Sequence, residues 1–409
     1  MTGLHNDPED YALLERIRAR RCAPDARTMR FVEEVQEGIC TRQPMAAMLE
    51  PDRIRKMYPH LDAAEVSELA RYLDTVRSAV RPPTPYEGAF HSNVQLMAAQ
   101  LDEAVVALRR WPDLTRPPLF ALLEAGHVNA RTVIVPDTGD PVVFVDTELL
   151  EFLFLFAKAV AFAAPALPPG PDGMLAFATK PDEVAAHLRR NREPLDRFLD
   201  AVLGYAMTGR ASSAEAYRVP PATENLYGII MRSAQTFVLA HEYAHVLAND
   251  FDRHHGDVTG VVDGEVRLSL MSLTLESAAD LLGLDLTLQV IREVDFTMTY
   301  WGVELFLYAN EIALKAISLL RTGDERGLRQ DESMLHATVN ARRSMLPVLL
   351  QGRITRGLGK EKGEAAWKQV VSGMHVVQGI VDLLWAQTKP LLVAAHRRGA
   401  RPSSVWEGN

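Results

Sequence analysis

The stretch FVLAHEYAHVLAND, residues 237–250, decides how the rest of the chain is read. It carries His241, Glu242 and His245 as HExxH. Side chains four apart on a helix are neighbours, so two imidazoles at this spacing can hold one metal ion. A glutamate next to the first imidazole is then placed to handle a proton. The flanking sequence predicts that helix. Thr223, just after Pro220-Pro221, is a capping residue for a helix running to about Ala248. Its apolar stripe is Leu226, Ile230, Ala234 and Phe237, continued by His241, Ala244 and His245. The histidines therefore extend a buried face instead of turning to water.

A catalytic zinc usually takes three protein ligands and keeps one position open. A third ligand is therefore needed, and three patterns compete for it. In HExxHxxGxxH, a glycine and a histidine would stand where this chain has Ala248 and Phe251, so that class is excluded. His254 and His255 follow in a polar stretch and read as loop histidines. The third pattern is a downstream helix with Glu-x-x-x-Asp. LSLMSLTLESAADLLGLDL supplies it, with Glu276 and Asp280 one turn apart among apolar residues. A buried carboxylate needs a partner. Zinc would serve Glu276, and the outward N–H of a ligand histidine would serve Asp280.

With these residues, the chain resembles the gluzincin metallopeptidases. More narrowly, it is similar to the family of bacterial stress-induced membrane metalloproteases and CAAX prenyl proteases. Asn129-Ala130 and the later VVFVDTELL are similar to that family's Asn-Ala strand and to the strand before its next helix. His336 with Arg342 is similar to its late His-Pro…Arg element, with Ala337 in place of the proline. The resemblance implies one Zn2+ held by His241, His245 and Glu276, with Asp280 behind them. It implies Glu242 as general base. His336 is the first candidate to stabilise the oxyanion, Arg342 the next, and Tyr300 or Tyr308 outlying ones.

The bulk composition sets limits on the function. The chain has 409 residues, 47 % hydrophobic and 24 % charged, which is ordinary globular material. Its net charge of −9 makes a general nucleic-acid binder a poor reading. Cys22 and Cys40 are the only cysteines, so a disulfide scaffold and a cysteine-rich zinc module are excluded. The N-terminus has no apolar signal region. The most apolar run, Leu149–Leu167, holds Glu151, Lys158 and Pro165 and reads as a buried helix rather than a membrane span. A soluble, cytoplasmic protein is expected, with no membrane insertion.

The expected fold class is α+β and mostly α-helical: a zincin-like (gluzincin) body with a small β-sheet, an N-terminal helical segment and a helical insertion. The expected division is a helical segment over 1–111, a metallopeptidase domain over 112–396 with its insertion at about 165–221, and a flexible tail over 397–409. Arg16, Arg18, Arg20 and Arg21 read as a solvated helix face. Val142–Val145 reads as a strand, either at the sheet edge, where it could hold an extended peptide, or in its core. The insertion could cover the cleft and hold the activity latent. The expected function is a soluble zinc endopeptidase acting on a protein or peptide substrate. A zinc-stabilised binding or regulatory protein and a zinc hydrolase of a non-peptide amide or ester stay open beside it.

Overall fold

Short runs of branched and aromatic residues make three strands: β1 (Leu119–Leu123), β2 (Ala130–Ile134) and β3 (Pro141–Asp146). The computed structural model describes residues 8–39, 62–64, 66–68, 71, 81–87, 90–111, 114–125, 130–167, 176–178, 180–248, 270–326, 330–403 and 406. The strand order is β1-β3-β2, with β1 parallel to β3 and β2 antiparallel to it. Val142–Val145 is therefore the central strand, and the sheet-edge alternative gives way to the core one. A fully buried strand reads as continuous apolar sequence, which is why its place in the sheet could not be read from composition.

The described residues form two compact units. The first holds the sheet, α1 (Pro8–Cys22), α2 (Ala26–Ile39), α3 (Phe90–Leu108), and the end of a long helix from Glu242 onward. One face of the sheet, with Leu119, Ala121, Leu123, Val142 and Phe144, packs with Val32 of α2. On the other face Phe120 meets the ring of Tyr243, centroids 6.2 Å apart. The outer edge of β1 is covered by side chains. Gln36 donates to Leu122 O, Arg81 and Gln95 donate to Phe120 O, and Glu87 accepts from Leu122 N. Buried backbone groups are thus paired without a fourth strand.

Arg21 departs from the expected solvated face. It is buried and grips Asp102 with two nitrogens, each at 2.6 Å, while donating to Pro118 O at 2.9 Å. Asp102 also accepts from the hydroxyl of Tyr243 at 2.9 Å. Arg18 keeps the exposed position, paired with Glu103.

The second unit begins with α4 (Thr147–Ala163), the apolar run read from the sequence. Leu150, Phe152, Leu153, Phe156 and Ala157 are fully buried in it. Among the described residues, no helix is long and apolar enough to cross a membrane. A two-stranded ribbon of β4 (Ala166–Leu167) and β5 (Ala176–Phe177) follows, then α5 (Pro181–Arg190) and α6 (Glu193–Thr208). After α7 (Pro221–Ala248) come α8 (Leu270–Val290), α9 (Phe296–Thr322), α10 (Gln330–Leu358) and α11 (Lys360–Arg397). α9 packs along α11, α10 and α6. α6, inside the expected insertion, buries Phe198, Val202 and Tyr205. The described part of the tail is docked too. Trp406 donates to Ala206 O at 3.1 Å and its ring meets Tyr205, because an indole needs both an apolar bed and an acceptor.

Candidate metal centre

α7 starts at Pro221, two residues before the expected cap. Proline suits the first helical position, where no N–H bond is needed. The N–H and hydroxyl of Thr223 both donate to Pro220 O, so Thr223 tightens the first turn from within. The stripe is buried as the spacing predicts, from Leu226 through Ile230, Ala234 and Phe237 to His241, with His245 half-buried.

Glu276 and Asp280 lie on α8, and the helix comes very close to α7. Gly283, seven residues after Glu276 and on the same face, makes the approach possible. A Cβ there would stand 3.0 Å from both the Cα and the N of His241. α9 closes on α7 in the same way at Gly302, whose added Cβ would meet Ser233 Cβ at 2.4 Å and Ala234 N at 2.6 Å. These two glycines were not singled out in the sequence. A glycine in an apolar helical run is the signal that could have found them.

His241 presents a different carboxylate to each ring nitrogen. Nδ1 lies 2.9 Å from Asp280 Oδ1, and Nε2 lies 3.3 Å from Glu276 Oε2. Burial and the Arg342 charge push the imidazole down, but the bonds to Asp280 and Glu276 outweigh them and raise it to about 9. Burial would push Asp280 up; Arg342 and His241 instead hold it well below the usual carboxylate range. Arg342, on α10, clamps Asp280 with Nε at 2.8 Å and a terminal nitrogen at 2.6 Å. Its other terminal nitrogen is 3.4 Å from Glu276. The guanidinium thus braces both acids.

One donor atom each from His241, His245 and Glu276 lies within 4.8 Å of the others, so this group could hold a metal ion. The donor set suits a divalent cation of intermediate softness such as zinc. Nε2 of His241 and Oε2 of Glu276 stand 3.3 Å apart, inside the 4.8 Å that bounds the whole group. With Asp280 holding Nδ1, the nitrogen left for a cation is Nε2.

No protein family, curated protein or solved structure matches this chain. The site therefore stands on its own geometry.

The remaining expected residues fall in several places. Glu242 accepts a hydrogen bond from the Thr132 hydroxyl of β2 at 2.8 Å, a contact absent from the sequence reading. His336 lies in α10, with its side chain outside the described residues. Asn129, His254 and His255 also lie outside them. Tyr300 and Tyr308 are buried on α9, and burial pushes both phenols up. Arg343 sits over the Tyr308 ring, 3.5 Å from its centroid.

Proposed function

We propose that this chain is a cytoplasmic, zinc-dependent endopeptidase of gluzincin type, with a zincin-like catalytic body that holds one ion. The observation that carries this reading is the meeting of His241, His245 and Glu276 on two helices, with Glu242 beside them in HExxH. Zinc bound there would supply Lewis acidity, lowering the pKa of a water and polarising the scissile carbonyl.

The chain's own residues do the rest. Glu242 takes the proton of the attacking water and passes it to the leaving amine as the C–N bond breaks. Asp280 accepts the Nδ1 proton of His241 and fixes the tautomer in which Nε2 is free of hydrogen. Arg342 keeps Asp280 ionised and in place. β2, at an edge of the sheet, offers main-chain groups to an extended peptide substrate. His336 is the candidate donor to the oxyanion, by resemblance alone.

The test is Glu242→Gln in the zinc-loaded chain, assayed against a peptide library beside the parent. The reading expects zinc to stay bound and cleavage to vanish. Equal cleavage by both proteins would remove Glu242 from the mechanism. An inert parent that still gains thermal stability from zinc would instead favour a zinc-stabilised binding protein.

A further inference from the structure

The contact between Thr132 and Glu242 has a built geometry around it. In the sheet, Thr132 of β2 pairs with Val143 of β3, which pairs with Phe120 of β1. These three residues form a row across one face. Both ends of the row touch consecutive residues of α7: Phe120 meets Tyr243, and the Thr132 hydroxyl donates to Glu242 Oε2 at 2.8 Å. The arrangement therefore aims one hydroxyl at one carboxylate oxygen of the proposed general base.

Resting on the peptidase reading, the geometry points to Thr132 as a positioning residue: its hydroxyl holds Glu242 from the edge strand. A glutamate has three rotatable side-chain bonds, and a proton acceptor must sit within hydrogen-bond reach of the water it serves. A β-branched threonine on a paired strand is stiff at χ1, so its hydroxyl is a fixed point. Bonding Oε2 to that point restricts the carboxylate and leaves Oε1 to accept a proton. Thr132 also lies on the strand along which the substrate would run, so one residue ties the base to the substrate platform.

The experiment compares Thr132→Val and Thr132→Ser with the parent as zinc-loaded full chains. Valine keeps the shape and removes the hydroxyl; serine keeps the hydroxyl. The expected result is a kcat lower by about tenfold to a hundredfold in the valine variant, the size typical of a misplaced catalytic group. KM, bound zinc and thermal midpoint should stay at parental values, and serine should restore most of the turnover. Parental kcat with valine, or equal losses in both variants, would overturn the assignment. If the parent cleaves no peptide, the hydrolase reading fails, and a crystal structure of the zinc-loaded valine variant decides the positioning claim separately. A Glu242 carboxylate displaced from residue 132 supports it; an unmoved one overturns it.

Discussion

Asp280 Oδ1 stands 2.9 Å from His241 Nδ1 while Arg342 grips both oxygens of the same carboxylate. The acid is buried, and it has strong partners on two helices besides its own. Removing it takes the acceptor from His241 Nδ1 and the nearest counter-charge from Arg342. Asp280→Ala is expected to weaken zinc binding about 10–100-fold, the usual size for losing such a support. Competition with a chromophoric chelator measures it, and unchanged affinity would refute the role given to Asp280.

Gly283 and Gly228 make a matched pair of helical glycines. A methyl group at 283 would crowd the His241 backbone, whereas one at 228 meets nothing within 4 Å. Gly283→Ala should lower both the thermal midpoint and zinc affinity, because α8 carries Glu276. Gly228→Ala should instead stabilise the chain by about 0.5–1 kcal/mol through helix propensity. The same sign for both substitutions in calorimetry would contradict the close approach.

Tyr243, inside HExxH, donates to Asp102, which Arg21 also holds. Tyr243→Phe removes one bond to a buried charge and is expected to cost about 1.5–3 kcal/mol of stability. It should leave zinc affinity unchanged, because no ligand loses a partner. A urea titration gives the first quantity. A variant as stable as the parent would mean the bond contributes nothing net.

Glu87, which is buried, and Glu304, which is half-buried, give opposite pH responses. Burial pushes Glu87 up, but the hydrogen bond from His91 and the charge of Arg81 outweigh it and hold it at about 2, against an ordinary 4.5. Its stabilising share is present above 4.5 and is lost as pH falls toward 2. Burial raises Glu304 to about 8, with Arg343 opposing. Its neutral form is native-like, so stability is full below 4.5 and declines as pH rises to about 8. Each slope approaches about 1.4 kcal/mol per pH unit. Glu87→Gln should flatten the acid limb and Glu304→Gln the neutral-to-alkaline decline. Unaltered limbs in thermal midpoints measured from pH 3 to 9 would contradict these environments.

Local patterns carried much of this in the sequence. The period of α7, the apolar run of α4, and the one-turn spacing of Glu276 and Asp280 each reflect a single element, and the structure follows them. Relations between distant elements were not legible. Arg21 looked solvated because Asp102 is 81 residues away. Trp406 looked frayed because its acceptor belongs to α6. Thr132 carries no motif at all, and its meaning arises only when β2 is placed against Glu242. The order of strands, which makes Val142–Val145 central, is likewise a property of pairing and not of composition.

The most direct test of the metal centre is element analysis of the purified chain, joined to anomalous diffraction at the zinc edge. One zinc per chain is expected, bonded at about 2.0–2.2 Å to His241, His245 and Glu276. A zinc-exposed protein that holds no metal, or holds it away from these three residues, would contradict the account.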